Sequence, residues 1–204
     1  MIIALDVENL ALIRAHRVLF RDLRFSVPAG ALLSIEGPNG VGKTSLLRLI
    51  AGFLRPAAGT VRFKTGASAV EDAEERGGFV GWLGHQDAVK PQMSVREQLA
   101  FFARLHGARS GEAALATFGL AHLADLPGQF LSAGQRRRLA LARLKLGGRP
   151  LWLMDEPLAA LDSTGKKLAS DAITAHCAAG GIVLAATHEP LGLAGETLRL
   201  GSAA

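Results

Sequence analysis

The chain has 204 residues, 49% hydrophobic and 20% charged, with a formal net charge of +5 at pH 7. That is the length of one domain and the composition of a chain that buries a core, which excludes a disordered protein. One cysteine, Cys177, excludes a disulfide framework or a cysteine metal site within one chain, and no run reaches the roughly 18 apolar residues of a membrane span. The positive balance suits an anionic partner: a nucleotide, a nucleic acid or an acidic lipid surface.

In chain order, residues 2–7 read as an edge strand, since Asp6 and Glu8 interrupt the apolar start and no basic leader precedes it. Further Val-, Ile- and Leu-rich runs at 31–36, 60–63, 78–83, 151–154 and 182–186 read as strands. The runs 31–36, 151–154 and 182–186 are apolar nearly throughout, as parallel strands covered on both faces are. Helical patterns follow at 43–53 and 164–178, so the alternation predicts an α/β protein with a central parallel sheet. Residues 94–126 carry Val95, Leu99, Phe102 and Leu105 at helical spacing, and after the Pro127-Gly128 break a second helical stretch runs over 133–146. This helical block lies between the early and late strands and predicts a helical subdomain over 88–146, with 1–87 and 147–204 forming the core.

Four short strings carry chemistry. Gly37, Pro38, Asn39, Gly40, Val41, Gly42, Lys43 and Thr44 spell a G-x-x-x-x-G-K-T loop between a strand and a helix. Its glycines let successive N–H groups turn toward a phosphate, and the helix N-terminus adds a positive dipole end. Lys43 is expected to neutralise β- and γ-phosphate charge, and the Thr44 hydroxyl to join a Mg²⁺ shell. Strand 151–154 runs into Asp155 and Glu156, placed to hold Mg²⁺ and to polarise an attacking water. His188 follows strand 182–186 and is expected to touch the γ-phosphate and orient Glu156. Ser132, Gly134 and Gln135 lie at the start of the 133–146 helix, an anion-binding arrangement or an ordinary N-cap.

With these strings in this order, the chain resembles the ABC ATPases over essentially its whole length. The shared order is the phosphate loop, Gln86, Leu131-Ser-Ala-Gly-Gln135, Asp155-Glu156, Ala160-Leu-Asp162 and His188. The resemblance implies an ABC-type P-loop fold: a RecA-like parallel core, an N-terminal antiparallel β subdomain and an inserted helical subdomain. It implies that Gln86 reaches Mg²⁺ and the attacking water, and that Asp162 lies at a dimer seam. It also implies ATP hydrolysis by a homodimer in which Ser132, Gly134 and Gln135 face the nucleotide held by the other copy.

Two departures stand out. Ala133 replaces the commoner glycine, and the chain has no tyrosine to stack on adenine; Arg14, Ala15 and His16 fill that region. Within the family, the strings 37–52 (GPNGVGKTSLLRLIAG), Leu83-Gly-His-Gln86, 131–144 (LSAGQRRRLALARL) and 150–162 (PLWLMDEPLAALD) are similar to the ATPase subunits of cytochrome c maturation, or haem exporter, systems. That implies integral membrane permease partners and a peripheral position on the cytoplasmic face of a bacterial inner membrane. The alternatives are the ATPase of another small transporter, for lipid, lipoprotein or drug, and a soluble nucleic-acid-associated ATPase that uses Arg136, Arg137 and Arg138. No nucleic acid is expected, because no aromatic residues interleave with that run and a helix whose basic residues face solvent, nearby phosphate or an acidic neighbour accounts for it. His85 is read as structural, not as a haem ligand.

Overall fold

A computed structural model describes residues 2–66 and 68–201. It contains two sheets. The first is antiparallel, with strand order β2-β1-β4-β5, built from β1 (Ala4–Arg14), β2 (Arg17–Pro28), β4 (Ala58–Thr65) and β5 (Ser68–Val70). The second is parallel throughout, with order β6-β7-β8-β3-β9, built from β3 (Leu32–Glu36), β6 (Val80–Leu83), β7 (Leu151–Asp155), β8 (Ile182–Ala186) and β9 (Glu196–Arg199).

The parallel sheet separates two cores, and side-chain alternation along its strands assigns the residues. Leu151, Leu153, Ile182, Leu184, Ala186, Leu33 and Ile35 face α1 (Lys43–Ile50) and the antiparallel sheet. Trp152, Met154, Val183, Ala185 and Leu32 face the opposite side, where α5 (Ala133–Leu146) and α6 (Ser163–Ala178) pack. All five residues of β7 and all five of β8 are buried, as uninterrupted apolar runs require. The remaining helices are α2 (Ala73–Gly77), α3 (Val95–Leu105) and α4 (Glu112–Thr117).

The expected strands and helices are present, with several corrections. The helix expected over 43–53 ends at Ile50, with Gly52 at φ 86° just beyond the cap. The pattern over 94–126 is α3, α4 and a 3₁₀ turn (Ala121–Leu123), broken where Gly107 turns at φ 70°. Strand β1 runs on to Arg14, and β2 was not expected at all. The two meet in a hairpin whose two-residue turn is Ala15 (φ 46°) and His16 (φ 61°), with Arg14 paired to Arg17. Positive φ at both central residues is the type I′ geometry that suits strand twist. Arg14 and His16 therefore sit at an exposed hairpin tip.

Candidate functional site

The sheet order determines the site. Strands β7, β8 and β3 are consecutive neighbours, and Asp155 pairs with Ala186 while Ala186 pairs with Ile35. Three chain segments thus leave the carboxyl ends of three adjacent strands together, which is where open α/β sheets bind ligands. From β3 comes the phosphate loop, from β7 the Asp155-Glu156 pair, and from β8 the turn carrying His188. Together they shape a cleft of about 500 Å³ lined by Asn39, Gly40, Gly42, Lys43, Thr44, Asp155, Glu156 and His188, among others.

In the loop, Gly37, Gly40 and Gly42 all have positive φ (146°, 78° and 114°), and a Cβ on Gly37 would lie 2.5 Å from the Leu200 carbonyl oxygen. A side chain there would drive the loop off the end of β9. Val41 is half-buried and packs toward the core, which secures the loop's middle. Lys43 is only 8% exposed, and its ammonium donates to the carbonyl oxygens of Gly37 (2.6 Å) and Pro38 (3.3 Å). The positive charge is therefore held against the carbonyls at the start of the loop. Thr44 Oγ1 donates to Asp155, lying 2.9 and 3.1 Å from its two carboxylate oxygens, and Asp155 is 4% exposed. These are hard oxygen donors on two rigid elements, and their chemistry fits Mg²⁺.

Glu156 has φ 51°, a conformation that side-chain-bearing residues rarely adopt. Its N–H donates to the Ala186 carbonyl at 2.8 Å, so the residue after β7 is tied to the end of β8. The His188 ring Nδ1 lies 2.8 Å from Glu156 Oε2 and donates to it. The His188 turn is fixed by Thr187, whose hydroxyl donates to the Glu189 carbonyl at 2.6 Å and accepts from the Glu189 N–H at 3.1 Å.

The structure does not bring every candidate into this cleft. Gln86 is exposed and lines a separate cavity of about 310 Å³ with Asp87, Phe102, His106 and Arg143; His85 is the residue of that loop that lines the phosphate-loop cleft. Ser132 is exposed and caps α5 in a reciprocal box: its hydroxyl accepts from the Gln135 N–H (3.2 Å), and Gln135 Oε1 accepts from the Ser132 N–H (2.8 Å). Gly134 packs so closely that a Cβ would lie 2.8 Å from the Ala160 carbonyl oxygen, which docks this helix start on the loop leading to Asp162. Asp162 caps α6, accepting from the Gly165 N–H at 2.7 Å. None of these five residues, Gln86, Ser132, Gly134, Gln135 and Asp162, lines the phosphate-loop cleft.

Of the arginine run, Arg137 has the acidic neighbour expected, Asp87, but the run also turns inward to backbone carbonyls, which was not expected. Arg136 donates to the Leu131 carbonyl (2.6 Å), and Arg138 to those of Phe118 (3.2 Å) and Gly119 (3.3 Å). Arg137 is 2% exposed, and its partners include Asp87 but also three backbone carbonyls. Sequence reasoning missed Arg137 because nothing in three consecutive arginines marks which one turns inward. His85 was missed for a similar reason: a loop residue one place from Gln86 has no periodicity to assign its side.

Residues 20–159 match the ABC transporter family model. The chain belongs to the ABC transporter family. Among its relatives, the cytochrome c biogenesis ATP-binding export protein CcmA of Rhodopseudomonas palustris (strain BisB5) is 47% identical, over 98% of this chain and 99% of that one. The protein of the same description from Paramagnetospirillum magneticum is 48% identical, over 93% and 90%. A putative ABC transporter ATP-binding protein from Pyrococcus furiosus has the same fold, with a TM-score of 0.83 at 24% identity, covering 97% of each chain. A further ATP-binding cassette, solved as a dimer in a post-hydrolysis state with ADP and Pi, superposes with a TM-score of 0.81 at 23% identity, covering 96% of this chain and 94% of that one. As an ABC ATPase, the chain binds and hydrolyses ATP. No helix among the described residues is long and apolar enough to cross a membrane.

Proposed function

We propose that this ABC ATPase works in cytochrome c biogenesis, converting ATP hydrolysis into movement of a membrane partner as one copy of a homodimer. The observation that carries the catalytic part is the Thr44–Asp155 and Glu156–His188 pairing at the ends of three adjacent strands. Lys43 and the free N–H groups between Asn39 and Thr44 bind the phosphates. Thr44 and Asp155 would hold Mg²⁺, which would supply charge neutralisation on the phosphates. Gln86 would join them only by leaving the neighbouring cavity, at the junction with a helical subdomain over 88–146. Glu156 takes the proton of the attacking water, and its bond to His188 keeps the carboxylate aimed into the cleft.

The dimer reading is supported by the signature residues, of which Ser132 is exposed and Gly134 and Gln135 are half-buried. Ser132, Gly134 and Gln135 are outside their own chain's cleft, so a second copy presenting its α5 N-terminus completes each site, with Asp162 at the seam. Adenine meets the exposed hairpin tip, where Arg14 or His16 offers a flat cation or ring in place of an aromatic platform. The membrane reading rests on the relatives' description: the partners are integral permease subunits, and the chain sits peripherally on the cytoplasmic face of a bacterial inner membrane. Nucleic acid is not among the partners in this reading, since Arg137 is buried with both terminal nitrogens bonded inside the protein and Arg136 and Arg138 each bond a backbone carbonyl.

The test is purification of tagged Glu156→Gln from detergent-solubilised membranes with ATP and Mg²⁺, followed by mass spectrometry of what accompanies it. Membrane subunits of cytochrome c biogenesis are expected. An unrelated permease would keep the ATPase chemistry and discard the cytochrome c assignment. Stimulation of ATPase activity by DNA or RNA, with a steep salt dependence, would favour the soluble alternative.

A further inference from the structure

We infer that Arg137 is the positioning residue for hydrolysis: it fixes the backbone of Glu156 and makes that geometry depend on the signature helix and the Gln86 loop. This rests on the role proposed above for Glu156.

Arg137 lies in α5, five residues after the Ser132 cap, and is buried against the ends of β6 and β7. Its two terminal nitrogens divide the work. Nη2 donates to the carbonyl oxygens of Asp155 and Glu156, each at 2.5 Å. Nη1 donates to the Gly84 carbonyl (2.8 Å) and to Asp87 Oδ1 (2.9 Å), one on either side of His85 and Gln86. One planar fork therefore joins three segments that bear on the reaction: the signature helix, the Gln86 loop and the acid pair.

The Glu156 backbone is held at both of its polar groups, the N–H by the Ala186 carbonyl and the C=O by Arg137. It needs that hold, because φ 51° is a left-handed conformation that an unrestrained glutamate leaves for the helical or extended basins. Releasing the carbonyl frees the peptide to rotate and swings Oε2 away from His188. The carboxylate would still be present, but no longer aimed.

The other arginines of α5 show that this is specific. Arg136 and Arg138 bond to carbonyls of Leu131, Phe118 and Gly119, and Arg143 bonds to those of Asp87 and Ala88. Among the described residues, Arg137 is the α5 arginine that reaches Asp155 and Glu156. A lysine would keep the charge and the length, but one ammonium cannot reproduce a fork with two separated nitrogens.

Three variants of the full-length protein test this, each compared with the wild type for steady-state ATPase activity, affinity for a non-hydrolysable ATP analogue, and Tm. Arg137→Lys is expected to lower kcat by about ten- to a hundredfold, the range a small misplacement of a reacting group costs. Analogue affinity should stay within about threefold, because the phosphate-loop contacts are intact. Asp87→Asn leaves the bonds to residues 155 and 156 and should lose much less. If Arg137→Lys fails to fold, Arg137→Ala with added methylguanidinium replaces it, and recovery of kcat with the added cation is the expected result.

Full turnover in a folded Arg137→Lys would overturn the proposal. So would a parallel fall of kcat, analogue affinity and Tm without rescue, which is the signature of a merely structural residue. Glu156→Gln in the same assay separates the two readings. Normal turnover there overturns both, whereas a dead Glu156→Gln beside a fully active Arg137→Lys overturns the role of Arg137 alone.

Discussion

Two helix N-termini in this molecule face anions by sequence motif, yet they are built in opposite ways. At α1 the N-cap is Gly42, at φ 114°, with no side-chain cap, so the first N–H groups of the helix open into the cleft beside Lys43. At α5 the cap is Ser132, and its reciprocal box with Gln135 satisfies donors within the helix itself. A helix start needs partners for its free N–H groups. The first is shaped to obtain them from a ligand, while the second already has side-chain partners and lies exposed. The difference teaches that two helix starts with similar motifs are not equivalent: the α1 end leaves its N–H groups for an anion, whereas the α5 end satisfies its own and keeps Ser132 at the surface.

The comparison can be broken in several places. The largest effect belongs to the α1 side: Glu156→Gln removes the base beside the cradle but leaves every phosphate contact. Its kcat should fall by about 10²–10⁴ with ATP binding retained, measured by turnover and by equilibrium binding. Lys43→Ala attacks the cradle directly by deleting a nearly buried cation, and should weaken ATP binding by roughly a hundredfold, on the order of a buried charge-assisted contact. Retained affinity would mean that the loop amides alone suffice.

On the α5 side, Ser132→Ala removes the cap. It should lower stability by about 1 kcal/mol in chemical denaturation while leaving ATP binding to the isolated chain unchanged. Loss of ATP binding in that variant would merge the two helix ends into one site and end the contrast.

The smallest expected effect is a control far from both ends. His176 stacks on Trp152, with ring centroids 3.9 Å apart, and its Nε2 lies 3.2 Å from the Pro150 carbonyl, at the amino end of β7 and so at the opposite end of the strand from Asp155. Burial pushes its pKa below the ordinary 6.5, against backbone bonds to Pro150 and Ile182 that push it up. The unfolded chain therefore takes up a proton as pH falls through 6.5 while the folded chain resists it. Stability from this residue is complete above that pH and declines below it. Tm should drop on acidification from about pH 7.5 to about pH 5.5, and His176→Phe should flatten part of that drop. An equal slope in the variant would assign the acid sensitivity elsewhere.

What was legible in the sequence divides along physical lines. The phosphate loop, Asp155, Glu156 and His188 were readable because each follows a buried strand whose apolar run marks where the chain emerges. Strand β2 was not, because Arg17, Arg21, Asp22 and Arg24 crowd a half-exposed strand and its register with β1 shifts around bulges. There Asn9 (φ 50°) and Asp22 (φ 53°) break the alternation that reveals a strand. Strand β9 has four residues, with Glu196, Thr197 and Arg199 exposed, and carries almost no apolar signal. Gln86 and Arg137 illustrate a third kind of loss. Their position along the chain was clear, but which cavity or carbonyl a side chain meets depends on how α5 packs against the loop after β6.

The central claim is that two copies complete each other's sites, and it is most directly tested by the molecular mass of purified Glu156→Gln, measured by light scattering with and without ATP and Mg²⁺. The account predicts a monomer without nucleotide, a dimer with it, and no dimer when Ser132→Arg is added to a chain that still binds ATP. A chain that stays monomeric at saturating ATP, or a dimer indifferent to Ser132→Arg, would contradict it.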